Sequence, residues 1–98
     1  MKYIILFEDN PDLGEDVRAS HMPQHLTFLE ENRQTIESAG PLREPDGNAA
    51  GGLWIVEAGS DAEVKQLVEN DPFWPTGLRK SFRILEWKQV FADGVRLV

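Results

Sequence analysis

The chain has no cysteine among its 98 residues. Disulfides, thiolate nucleophiles and cysteine-ligated zinc are therefore excluded. Basic residues are scarce: ten Lys and Arg face seventeen Asp and Glu, for a formal net charge of −7. A nucleic-acid partner needs a basic footprint against its phosphates, so none is expected. Long apolar runs are also missing. Nothing approaches the ~18 residues that span a bilayer. The opening stretch Met1–Glu8 is too short for a secretory signal and runs straight into acids. These absences lead us to expect a single soluble, cytoplasmic domain over residues 1–98. The early acids Glu8, Asp9, Asp12, Glu15 and Asp16 read as a solvated face, in preference to a hard-cation site.

With 41% hydrophobic and 28% charged residues, the chain is globular in composition. Lys2–Glu8 reads as a strand apolar on both faces, with Tyr3, Ile5 and Phe7 on one side and Ile4 and Leu6 on the other. Asn10-Pro11-Asp12 breaks it, giving a loop or a short helix through Arg18. Pro23 suits the first turn of a helix expected to run to about Ala39 and stop at Gly40-Pro41. A hairpin follows, with arms Pro41–Glu44 and Gly52–Ala58 around a turn at Pro45-Asp46-Gly47-Asn48. Ser60-Asp61-Ala62-Glu63 is a capping box that opens a second helix ending near Asn70. The last strand is expected over Ser81–Phe91.

The order β-α-β-β-α-β is the ferredoxin-like arrangement, an α+β fold with two helices on one face of an antiparallel sheet. Two of its strands are apolar on both faces. Leaving Trp54, Val56 and their neighbours wet would forfeit ~1.5–3 kcal/mol for each large side chain. A second copy packed sheet against sheet is the economical cover, so a homodimer is expected.

The histidines carry the chemical signal. Met22, His25, Leu29 and Ile36 fall on one face of a helical repeat, so His25 occupies a core position. In the second helix Val64, Leu67 and Val68 set the buried face, and the next position in that pattern is Asp71. Two helices thus each aim a titratable group inward. A carboxylate that accepts one imidazole N–H fixes the tautomer and leaves the other nitrogen free to take a proton. Two plainer readings stand beside this one. His25 can be a hydrogen-bonded core residue, and Asp71-Pro72 can cap a short helix from Pro72 to Gly77. Metal binding by His21 and His25 needs one continuous helix, which Pro23 is expected to interrupt; no metal or organic cofactor is expected. Gly51 and Gly52 shape the hairpin and can offer backbone N–H groups to an anion.

Several stretches together resemble the YciI-like family, also called the YCII-related domain. They are Arg18–Leu29, Ala39–Leu42, Gly51–Ala58, Asp71-Pro72-Phe73 with Gly77-Leu78, and Trp87. The resemblance implies a dimeric α+β barrel similar in fold to muconolactone isomerase, with a site centred on His25 and Asp71. It also implies that Arg18 meets an anionic substrate group or pairs with an acid. Glu86 departs from the family pattern, where proline often precedes the tryptophan.

The function expected from the whole is acid–base chemistry by His25 and Asp71. The reaction class is proton abstraction with elimination or isomerisation on a small cyclic or aromatic compound. Arg18, Phe28 and Trp74 are the candidate substrate-binding residues. The alternative is a non-catalytic ligand-binding or dimerisation module that accompanies another enzyme. A haem- or oxygen-using dimeric barrel fits the fold analogy, with no dedicated sequence feature behind it.

Overall fold

Tyr3, Ile5 and Phe7 point to one side of strand β1 (Lys2–Asp9) and are all buried. The strand lies inside an antiparallel sheet of order β2-β3-β1-β4, built with β2 (Ile36–Arg43), β3 (Ala49–Glu57) and β4 (Arg79–Glu86). Helices α1 (Glu15–Glu31) and α2 (Asp61–Asn70) cover the face that carries Tyr3, Ile5, Phe7, Trp54 and Val56. This is the ferredoxin-like α+β fold. The structure, a computed structural model, describes residues 1–13 and 15–98.

Helix α1 departs most from expectation. It begins at Glu15 and ends at Glu31, so Pro23 lies inside it and does not start it. Pro23 is solvent-exposed, and its missing N–H leaves one helical carbonyl unbonded on the wet side, where water serves. Part of the loop or short helix expected before Arg18 is therefore the first turn of α1; its Gly14 lies outside the described residues. The far end is closed by Asn32, whose Nδ2 donates to the Phe28 carbonyl and whose own carbonyl receives the N–H groups of Thr35 and Ile36. Ile36 is accordingly the first residue of β2 and not a helical core position. Gly40-Pro41 falls within β2, which tolerates proline because it is an edge strand with a register shift between Pro41 and Arg43.

The turn at Pro45–Asn48 forms as expected, with Gly47 at a φ of +93°. The cap on α2 also forms: Ser60 Oγ accepts from the Glu63 N–H, and the Glu63 carboxylate accepts from the Gly59 N–H. Trp54 and Val56 were expected on the uncovered sheet face. They point into the helix layer, and Leu53 and Ile55 take the other side, where they register with Leu6 and Ile4. The open face is therefore apolar through Ile4, Leu6, Leu53, Ile55 and Leu85, all only partly buried or exposed.

Strand β4 stops at Glu86, short of the expected Phe91. Beyond it, β5 (Phe91–Ala92) and β6 (Val95–Arg96) form a separate hairpin around Asp93-Gly94, both at positive φ. Asp-Gly is the residue pair such a tight turn favours. Val90, Phe91, Val95 and Leu97 of this arm are all more than half exposed. Among the described residues no helix is long and apolar enough to cross a membrane.

Candidate active site

Register and helical spacing bring the site together. On α1, Arg18 and His25 are two turns apart and share the face toward the sheet. Asp71 caps the C-terminal end of α2 with its N–H bonded to the Val68 carbonyl. The chain then turns through the short 3₁₀ segment Trp74–Thr76 and enters β4 at Arg79, which pairs with Asp9 across the sheet.

Asp71 is fully buried, and each carboxylate oxygen is engaged. Oδ1 accepts from His25 Nδ1 at 2.8 Å and from the Phe73 N–H at 3.1 Å. Oδ2 forms an ion pair with Arg79. Burial pushes the Asp71 carboxyl up. The hydrogen bond from His25 and the charge of Arg79 outweigh that effect and hold it below its ordinary value of 3.8. An ionised carboxylate only accepts, so His25 Nδ1 carries the hydrogen of this bond. In the neutral ring the lone pair then lies on Nε2. Nε2 has no hydrogen-bond partner among the described residues, where no buried side-chain nitrogen or oxygen is left unpartnered. It therefore reaches the surface of the cleft that His25 lines.

That cleft holds about 120 Å³ and is lined by His25, Arg18, Arg79, Asp9, Phe7, Trp54, Met22, Leu26 and the Gly51-Gly52 pair within β3, among others. Gly51 is obligatory there: its φ is +92°, and a Cβ would come within 2.0 Å of the Phe7 carbonyl oxygen. A wider cavity of about 600 Å³ adjoins it and shares Phe7, Asp9, Arg18 and Gly51 as walls. The narrow cleft is lined by His25 and the wide one is not. Phe73 packs against the His25 ring, with centroids 4.4 Å apart.

The residues expected at the site divide into two groups. His25, Asp71 and Arg18 come together, and Arg18 is bonded to Asp9 at 2.6 Å. Phe28 packs on Trp54 in the core, and Trp74 packs edge-on against Phe82 with centroids 5.3 Å apart; neither lines the cleft. Asp71 Oδ1 also accepts from the Phe73 N–H, but Asp71 does not cap the expected helix. The short 3₁₀ turn Trp74–Thr76 has Phe73 at its N-cap with no side-chain capping bond, and Asp71 serves instead as the C-cap of α2. Because α1 runs through Pro23, His21 and His25 do share one helix, but His21 Nδ1 is turned back to the Val17 carbonyl. Among the described residues no group of three His, Asp or Glu side chains is arranged to hold a metal ion.

Arg79 and Trp54 line the cleft beside His25 and are the candidate-site residues that sequence reasoning missed. Arg79 looks in sequence like one more strand-end cation. Its spacing of eight from Asp71, across the Asp-Pro turn, is the signal that places both at one end of the sheet.

Comparison with known proteins agrees with this fold. The YCII-related domain matches residues 1–88. A solved structure of 5-chloro-2-hydroxyhydroquinone dehydrochlorinase from Burkholderia phenoliruptrix AC1100, in complex with 2,5-dihydroxybenzoquinone, is similar at 34% identity and a TM-score of 0.75, covering 90% of this chain and 94% of that one. A dimeric protein of unknown function with a ferredoxin-like fold from Bacteroides fragilis NCTC 9343 is similar in fold, at 16% identity and a TM-score of 0.51, with the same coverage. No curated protein matches the chain significantly. With nearly its whole length matched, the chain belongs to the YCII-related domain family.

Proposed function

We propose that this protein is a cofactor-independent enzyme in which His25 is the general base and Asp71 its orienting partner. The substrate class is a small hydroxylated ring, and the reaction is proton abstraction coupled to elimination or isomerisation. One observation carries the reading: a buried carboxylate fixes His25 Nδ1 as donor, which leaves Nε2 free in a cleft. The similar dehydrochlorinase acts on a chlorinated hydroxyhydroquinone, which favours elimination over the other acid–base reactions.

For such a ring the step balances without a redox partner. Nε2 takes a hydroxyl proton, and the ring tautomerises so that hydrogen sits on the chlorine-bearing carbon. That hydrogen stays on the carbon. A second ring hydroxyl, conjugated with that carbon, then gives up its proton and becomes the other carbonyl while the C–Cl electron pair leaves with chloride. The products are a hydroxyquinone, chloride and a proton. Asp71 stabilises the imidazolium that forms in between, as a buried acid does behind a catalytic histidine.

We further propose a homodimer that buries the open sheet face. Ile4, Leu6, Leu53, Ile55 and Leu85 lie there together, and covering each is worth ~1.5–3 kcal/mol. The test of function is chloride release from 5-chloro-2-hydroxyhydroquinone and related halogenated trihydroxybenzenes by the wild type and His25→Asn. Release that falls at least about a hundredfold in a folded variant supports the base. Tight binding with no turnover by the wild type transfers support to the accessory-module reading.

A further inference from the structure

Arg79 is the most buried of the charged side chains that line the cleft, and the acid–base reading leaves it without a chemical task. Its side chain is only 7% exposed, and a buried cation is costly unless it is held on every side. One of its nitrogens is bonded to Asp71 Oδ2. The guanidinium carbon lies over the Phe7 ring, 4.0 Å from its centre, and 5.2 Å from the centre of the Trp54 ring. These contacts hold it in place. They do not use its remaining N–H groups, for which the described residues supply no acceptor. Since no buried side-chain nitrogen in the described residues lacks a partner, those donors emerge at the surface of the cleft that Arg79 shares with His25.

Charge accounting gives these donors a purpose. Asp9 and Asp71 are each paired with an arginine, so the walls balance while the imidazole is neutral. Proton transfer from a ring hydroxyl makes one new cation at His25 and one new anion on the ligand. The cation already has Asp71. The anion needs preset donors in a water-poor site, where they act most strongly. Arg18 is a weaker candidate, because its side chain is 28% exposed and its charge is better screened.

We propose that Arg79 makes this cleft an oxyanion receptor, so that its ligands are ring compounds held with an ionised hydroxyl against the guanidinium. The proposal rests on the reading of His25 only in placing substrate in the same cleft, and it is tested by binding alone. The probes are 2-chloro-4-nitrophenol, whose phenolate is coloured, and its uncharged methyl ether, titrated into wild type, Arg79→Lys, Arg18→Gln and His25→Asn. The expected result is a wild-type preference of at least roughly tenfold for the phenolate over the ether. Arg79→Lys keeps a charge beside Asp71 but loses the fork, and it should lower that preference about tenfold while the ether binds unchanged. Arg18→Gln and His25→Asn should retain most of it.

In the wild type alone, saturating protein should lower the apparent pKa of the phenol, which keeps the proposal testable if Arg79→Lys unfolds. Equal affinity for phenolate and ether, no measurable binding of either, or a preference untouched by Arg79→Lys would overturn it. Phenolate preference without turnover of any hydroxylated ring upholds the receptor and sinks the acid–base reading. Turnover without phenolate preference does the reverse.

Discussion

His25 and Asp71 are 46 residues apart in the chain and 2.8 Å apart in the fold, joined Nδ1 to Oδ1 inside the protein. The bond ties the middle of α1 to the C-terminal cap of α2, so one contact locks the two helices and sets the histidine tautomer. Structure and chemistry are coupled at this point, and the first predictions separate them.

Asp71→Asn keeps the shape and an oxygen for the Phe73 N–H, but removes the charge that holds Arg79. Leaving a buried guanidinium unpaired costs ~3–5 kcal/mol, a large fraction of the ~5–15 kcal/mol typical of a small domain. Urea unfolding should show a lower midpoint by that amount. A loss below about 1 kcal/mol would mean the ion pair is dispensable.

His25→Asn removes the imidazole while Asp71 keeps Arg79 as its counterion. The expected loss of stability is smaller, about 1–3 kcal/mol for one buried hydrogen-bond partner, with the circular-dichroism spectrum unchanged. Collapse of the fold on this substitution would assign the histidine to structure.

Acid should weaken the protein through Asp71. Its carboxyl is held below the ordinary 3.8 in the folded state, so the unfolded chain takes up the proton first as pH falls. The stabilisation is complete above the unfolded value and is lost as pH drops below 3.8 and through the folded value. In urea titrations the stability gap between wild type and Asp71→Asn should be constant near neutrality and shrink below about pH 4. A gap that does not change with acid would contradict an ionised Asp71.

Gly51→Ala forces a side chain into left-handed backbone with its Cβ 2.0 Å from the Phe7 carbonyl oxygen. A loss of about 2–4 kcal/mol is expected from strain and displacement together. Thermal unfolding measures it, and a change within ~0.5 kcal/mol would show that this part of β3 yields freely.

Ile55→Asp places a charge in the middle of the open sheet face. Light scattering should find a dimer for the wild type and a folded monomer for the variant. A wild-type monomer would remove the reason for covering that face with a second copy.

Much of this was legible from periodicity. The alternation of Tyr3, Ile5 and Phe7, the capping box at Ser60, and the inward positions of His25 and Asp71 are local patterns, and all reappear in the fold. What failed was punctuation. Pro23 and Gly40-Pro41 signal helix boundaries by local chemistry, yet an exposed helix face and a sheet edge tolerate them. The Asp93-Gly94 pair, just past the expected strand end at Phe91, is the local signal for the β5–β6 hairpin. The sides of β3 were assigned in reverse because both are apolar, and only the packed helices decide which is inner. Arg79 was invisible for another reason: its role depends on a non-local turn that returns the chain to Asp71.

The central claim is that His25 presents an unprotonated Nε2 to the cleft, and ring ¹⁵N chemical shifts of histidine-labelled protein test it most directly. At a pH where the imidazole is neutral, His25 should show a protonated Nδ1 and a lone pair on Nε2, and Asp71→Asn should disturb that preference. A proton found on Nε2 of the neutral wild-type ring would leave the cleft without its base and contradict the account.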